Sequence, residues 1–486
     1  MQAVHVSPYG GAWYPDCRTD LERLLDDLFD SSRQRTGAFL LPNALGFVVP
    51  HAGLEYSGTV ASAAYRHVAR QQPRRAVILG FAHKGGPAGI SMPDIGGYQT
   101  PLGDTAVDRE TLEQLAVHGP FQFVAEDHIC DHSVEIQLPL LQRAAPDARI
   151  VPLFAGYLNN SARNAAAEAL ADLCGPDTIF LVSSDLTHFG RAFGYEPFPV
   201  DSAISARLNM LDHHLMESMA SLDPQFFLEA VAQNHPTVCG RSPIALWLRT
   251  LALVKRGEIF QETLDYQTSG DITGDYEHTV SYGALGYFPA ESFWLDATGQ
   301  NLLLESARET LRLLRATGVH RAIPPREMTP ALSRKTGVFI GLHQGQRQLG
   351  CIGNRSSCES LAENVPETTL RAALDDPRFP TILGVEGRID IEISILSPMK
   401  PIRDARAFQV GQHGATLECS GRQALLLPQV AEGRGWTADR FLKALSVKAG
   451  LGSKGYQSNG AHLNVFRAQV FSTGVADNRA EVPHAV

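Results

Sequence analysis

The sequence lacks any run approaching the roughly 20 apolar residues that a helix needs to cross a bilayer. Its first residues carry neither a basic start nor a long apolar core, so nothing there reads as a secretory signal. Blocks of like charge are missing too. The 42 Lys and Arg are scattered among 52 Asp and Glu, giving a net charge of −10. A dispersed negative balance argues against nucleic acid or an anionic membrane as partner. Cysteine is scarce and odd in number, seven in 486 residues, which does not suit a disulfide framework. The expectation is a cytoplasmic protein with free thiols. No internal repeat or low-complexity tract is visible, and the length suggests two or three globular units.

What is present is a recurring pattern of short apolar runs that end in polar, ligand-capable residues. Gly46 to Val49 reads as a buried parallel strand that ends at Pro50-His51, in a turn loosened by Gly53 and Gly58. Helical character follows from Gly58 to about Arg70. Arg75 to Gly80 is a second run, leading to Phe81-Ala82-His83. Gly85 to Gly103, rich in glycine and proline, reads as a long loop. Further strands are expected at Arg149–Phe154 and Thr178–Val182, the latter running into Ser183-Ser184-Asp185-Leu186-Thr187-His188. Cys239 precedes an apolar helix, with Ser242 placed as its cap and Pro243 at the first helical position. Late strands near Glu262–Gln267 and Thr279–Tyr287 complete a mostly parallel sheet covered by helices, an α/β fold.

Open α/β sheets bind ligands at the carboxyl ends of their strands. His51, His83 and the Asp185/His188 pair lie at such ends, and Cys239 lies at a helix amino terminus. Two neutral imidazoles and one anion make a mononuclear metal site with open positions. A helix amino terminus should lower the Cys239 thiol pKa, which makes its thiolate a candidate anion. A helical turn at 185–188 would put Asp185 and His188 on one face, with His188 as acid/base and Asp185 fixing its tautomer or holding substrate. As a bland reading, Asp185 is simply a helix cap. His132 and Glu135, also three apart, suggest that Glu135 orients a ligand imidazole or that His132 lines the pocket. A surface salt link explains that pair equally well.

Five separated motifs occur in the order of the Memo family, the B component of the AmmeMemoRadiSam system. They are Pro50-His51-Ala52-Gly53, His83, His132 to Pro139, Ser183 to His188, and Cys239-Gly240-Arg241-Ser242-Pro243. The resemblance covers about Pro8 to Phe288 and implies a fold similar to class III extradiol dioxygenases, which use non-heme Fe(II). By that likeness His51, His83 and Cys239 are metal ligands, Asp185 and His188 sit beside open positions, and Trp13 and Tyr14 line the pocket entrance. A thiolate in place of the usual carboxylate is softer and accepts copper or zinc as well as iron.

A second unit begins with a helix near Leu302–Thr317. Strands are suggested at Lys335–Leu342, Ile389–Leu396 and Ala424–Leu427, so it reads as a smaller α+β domain. Gly350-Cys351-Ile352-Gly353 resembles the signature of the A component of the same system, an AMMECR-type domain. Leu349 stands where that signature usually has arginine. Cys351 reads either as a reactive thiol on a tight turn or as a small buried residue where backbones pass closely.

The boundaries expected are 1–290 for the metal-binding unit, 291–300 for a linker, 301–475 for the second unit and 476–486 for a tail. The function expected is a non-heme-iron, dioxygenase-like oxidoreductase that acts on a small molecule with a radical-SAM partner. A non-catalytic iron- or copper-binding adaptor and a zinc-dependent hydrolase are the alternatives.

Overall fold

A computed structural model describes residues 3–234 and 237–474; the segment read as a tail, 476–486, lies outside them. Two compact units divide the chain, Met1–Ser292 and Phe293–Val486. The stretch 291–300 is not extended linker. Its first residues end the 3-10 turn Ala290–Phe293, and its last open the helix Ala297–Thr317, where the Asp296 side chain accepts from Gly299 N.

The first unit is built on a nine-stranded sheet. At its centre four parallel strands run in the order Gly46–Val49, Thr178–Ser183, Arg75–Gly80, Arg149–Ala155. Almost every residue in these runs is buried, as expected of strands covered on both faces. Each fully buried Val, Ile, Leu or Phe contributes about 1.5–3 kcal/mol. One flank is antiparallel: His278–Pro289 pairs with Gly46–Val49, Ile259–Thr268 and His188–Gly190. The sheet is therefore mixed, parallel where the candidate residues emerge.

Helices Arg18–Thr36, Leu54–Gln71 and Gln137–Ala144 pack together, and Asn160–Ala171, Pro224–Asn234 and Arg241–Leu251 form a second group. Trp247 of the latter group stacks on Phe180 of the central sheet at 4.8 Å.

Gly58 does not loosen a turn. It lies inside the helix that starts at Leu54, where a Cβ would meet Leu28 Cδ1 at 2.6 Å. The expected loop at 85–103 contains two strands, Ile90–Pro93 and Gly97–Thr100. Both are only four residues long, and the surrounding glycines and prolines mask them. Ser242 is not the helix cap either. Arg241–Leu251 is capped by Gly240, so Ser242 and Pro243 fall inside its first turn.

The second unit holds two four-stranded antiparallel sheets with helices Ala297–Thr317, Leu361–Leu374 and Ala438–Lys448. One hairpin, Gly414–Cys419 with Arg422–Leu426, closes through Ser420 and Gly421, both at positive φ. That backbone twist matches the twist of the paired strands.

Candidate metal centre

Adjacent parallel strands lie about 4.8 Å apart, so neighbouring carboxyl ends deliver their next residues to one place. Gly46–Val49 delivers His51, Thr178–Ser183 delivers Asp185, and Arg75–Gly80 delivers His83. The His51 and His83 rings come within 5.3 Å, nearly perpendicular. Cys239 arrives from 188 residues away, its Sγ 3.1 Å from His51 Nε2. One ligand atom from each of His51, His83 and Cys239 lies within 4.8 Å of the others.

The opposite edge of each imidazole is occupied. His51 Nδ1 lies 3.0 Å from Ser183 Oγ, which also accepts from Gln137 Nε2. Gln137 is itself fixed, donating to the Pro50 carbonyl and accepting from the Tyr65 hydroxyl. His83 Nδ1 lies 2.8 Å from Asp131 Oδ1, and the other Asp131 oxygen accepts from His83 N. Partners of this kind select the tautomer that leaves Nε2 free for an ion. Burial and the neighbouring His132 and His83 hold the His51 pKa well below the usual imidazole range, so it is neutral and ligand-competent. Burial opposes ionisation of Asp131, but its bonds to His83 and Ser133 keep its carboxyl below the usual range.

The helix end does not lower the Cys239 pKa. Burial and the Asp185 carboxylate push this thiol up, and donation from the Asp185 and Gly240 amides opposes them without prevailing. Absent a cation, Cys239 is a thiol. Gly240 is required beside it, because a Cβ there would sit 2.4 Å from Ser184 Cβ. Two nitrogen donors with satisfied far edges, plus a sulfur that needs a cation to ionise, suit a soft or borderline divalent metal.

Asp185 and His188 share no helical turn. Leu186 N donates to Ser281 O, and Ser281 N donates to Thr187 O, so the segment runs extended beside the strand His278–Pro289. Asp185 is not a helix cap; its Oδ1 accepts from His51 N at 2.8 Å. Burial raises its pKa, opposed by His188 and the His51 and Ala52 amides. Nor does it fix the His188 tautomer. His188 Nδ1 faces the carbonyls of Leu186 and Thr237, at 3.2 and 3.0 Å, which leaves Nε2 as its free nitrogen.

His132 stacks on His83 at 4.0 Å and lies 5.3 Å from His51, and burial lowers its pKa to about 4. The Trp13 ring is 4.5 Å from His132. Tyr14 is buried, with its hydroxyl 2.7 Å from Ser7 Oγ. Glu135 orients no ligand of this group; Asp131 does so, and Glu135 instead faces His5 at 3.2 Å. A cleft of about 290 Å³ borders the cluster, lined by Cys239, Arg241, Ser242, Phe81, Ala82 and Tyr157 among others.

Ser183 and Gln137 lie inside motifs quoted from the sequence but were given no role there, and Asp131 was not singled out. Asp131 left a local trace as the N-cap of the turn His132–Glu135, where it accepts from Ser133 N. Cys351, in the second unit, lies within the strand Arg347–Gly353 opposite Gly341, not on a tight turn. Its N–H donates to Asp376, its carbonyl accepts from Arg378, and burial pushes its thiol up. Leu349, where arginine was usual, is buried in the same strand.

The family of Memo-like proteins matches residues 7–286, more than half of the chain, and AMMECR1 matches residues 304–471. A MEMO1 family protein of Methanobrevibacter smithii is 32% identical over 291 residues, covering 56% of this chain and 96% of that protein. The protein memo-1 homolog of Caenorhabditis elegans is 28% identical over 285 residues, 57% of this chain and 80% of that one. Among solved structures, an uncharacterized protein of Pyrococcus horikoshii aligns with a TM-score of 0.33 at 30% identity, over 35% of this chain and 89% of its own. An uncharacterized Escherichia coli protein gives 0.34 at 11% identity, over 50% and 98%. The chain belongs to the Memo family and carries an AMMECR1 unit behind the Memo unit in one polypeptide.

Proposed function

We propose that the first unit holds one redox-active metal ion, Fe(II) foremost, through His51, His83 and Cys239, and acts as a dioxygenase-like oxidoreductase on a small diol. The observation that carries this reading is the convergence of three ligand atoms within 4.8 Å from three separate elements. A bound Fe(II) supplies electron transfer toward dioxygen; copper and zinc suit the same donors. The protein's own groups do the rest. Ser183 and Asp131 hold the two imidazoles in their ligating tautomers. His188, with Nδ1 turned to carbonyls, offers Nε2 for moving a substrate proton. Asp185 fixes the backbone of His51, and Trp13 and His132 form an aromatic wall. A radical-SAM protein is the proposed partner, on the strength of the resemblance to the AmmeMemoRadiSam components.

The test is anaerobic purification of the full chain, elemental analysis and Fe(II) titration, repeated on Cys239→Ser. One Fe(II) lost in that variant, with oxygen uptake on adding catechol-type diols, supports the proposal. Iron binding that Cys239→Ser leaves unchanged overturns it. Iron bound without oxygen uptake assigns the site to metal handling, and tight zinc with ester or amide hydrolysis assigns it to hydrolysis.

A further inference from the structure

The amino-terminal strand Val4–Val6 inverts the alternation expected of a strand on a protein surface. Val4 and Val6 are exposed, at 43% and 64%, while His5 turns inward opposite Tyr98. A polar residue facing in between two apolar residues facing out signals a local requirement other than packing.

His5 points into a group of ligand-capable side chains. Its Nδ1 is 2.9 Å from Glu126 Oε2, and its Nε2 is 3.2 Å from Glu135 Oε1. Cys130, directly after the short helix Glu126–Ile129, has its Sγ 3.4 Å from the Tyr98 hydroxyl. One ligand atom from each of His5, Glu126 and Cys130 lies within 4.8 Å of the others. Atoms sharing a tetrahedral zinc ion sit roughly 3.3–3.8 Å apart, given ligand distances near 2.0–2.3 Å.

A separate observation comes from Glu135. It has no exposed surface, and among the described residues neither carboxylate oxygen has a hydrogen-bond partner. His5 Nε2 is close to it but misaligned for a hydrogen bond. That carboxylate faces the edge of His5 opposite the one that meets Glu126, so it holds the ring and leaves Nδ1 toward Glu126.

We propose that His5, Glu126 and Cys130 form a second cation site, with Glu135 behind the His5 ring, which takes a zinc-like divalent ion and pins the amino-terminal strand to the 126–130 segment. One imidazole, one carboxylate and a sulfur favour zinc or a neighbouring transition metal over magnesium or calcium, which take oxygen ligands. Cys130 is next to Asp131 in the chain, so an ion here steadies the turn that orients His83.

The test uses the full chain. Zn(II) is titrated against a chromophoric chelator, and Co(II) is added separately to read a sulfur-to-metal charge-transfer band. The wild type should bind two equivalents. Glu126→Gln and Cys130→Ser should each weaken one of them at least tenfold, and Cys130→Ser should remove its share of the cobalt band. The Glu126 side chain is 38% exposed, so Glu126→Gln should fold natively, as circular dichroism and thermal melting will verify. Cys239→Ser should cost only the other equivalent. If Glu126→Gln and Cys130→Ser both bind zinc as the wild type does, the second site is refuted and His5 is an imidazolium bridging two carboxylates. Should the His51 site fail instead, one equivalent insensitive to Cys239→Ser remains.

Discussion

Replacing Asp131 by asparagine tests whether the metal centre depends on how its histidines are held. The carboxylate accepts from three donors: His83 Nδ1 at 2.8 Å, His83 N at 3.0 Å and Ser133 N at 2.9 Å. Asparagine has one acceptor oxygen, so its amide group must face at least one of those N–H groups. If the oxygen stays on His83 Nδ1, the part-buried His83 N–H loses its partner, costing about 0.5–1.5 kcal/mol of stability. If it turns to the backbone, the imidazole is free to rotate and to take either tautomer. Loss of such an orienting partner typically weakens metal binding about 10–100-fold, or about 1.4–2.7 kcal/mol. The assay is competition for Fe(II) or Zn(II) under anaerobic conditions, with urea denaturation run in parallel. Metal affinity within about twofold of wild type, in a variant that is natively folded, would refute the reasoning.

Two other outcomes follow from the same geometry. Gly240→Ala forces a Cβ to within 2.4 Å of Ser184 Cβ; the expected result is about 1–3 kcal/mol lost by overpacking and at least tenfold weaker metal binding as Cys239 shifts. Native stability together with native affinity in that variant would contradict the packing described. His67 is buried, accepts from Leu41 N, holds Nδ1 against the Ala63 carbonyl, and burial lowers its pKa from 6.5 to about 4. With the folded pKa below the unfolded one, its stabilisation is complete above pH 6.5 and fades as pH falls toward 4. At pH 4.5 the loss is about 2.5 kcal/mol. Urea midpoints at pH 7.5 and 4.5 should therefore differ less in His67→Gln than in wild type, and an identical pH dependence would remove His67 from the account.

The parts legible from sequence were those encoded by local pattern. Gly46–Val49, Arg75–Gly80 and Thr178–Ser183 announce themselves as short, continuous apolar runs, and the residues after them mark the sheet edge where ligands gather. What stayed hidden depends on partners distant in the chain. Ser183 and Gln137 are ordinary polar residues until the fold sets them beside His51 Nδ1. The spacing of Asp185 and His188 suggested a helical turn, but Ser281 claims the backbone groups that such a turn would use. The helix end beside Cys239 predicted an acidic thiol, and burial next to Asp185 outweighs it. His5 lies in a three-residue strand too short to register any period.

Because Cys239 Sγ and His51 Nε2 meet across 188 positions of chain, no ion can be gripped by both until the sheet has assembled. Loading thus rewards only the finished architecture. At a free metal concentration of 100 times Kd it would deepen the native well by about 2.7 kcal/mol while leaving the unfolded ensemble untouched. Thermal melting should therefore climb with added metal in the intact chain and climb less once Cys239 is replaced, so heat resistance reports occupancy even before any substrate is known.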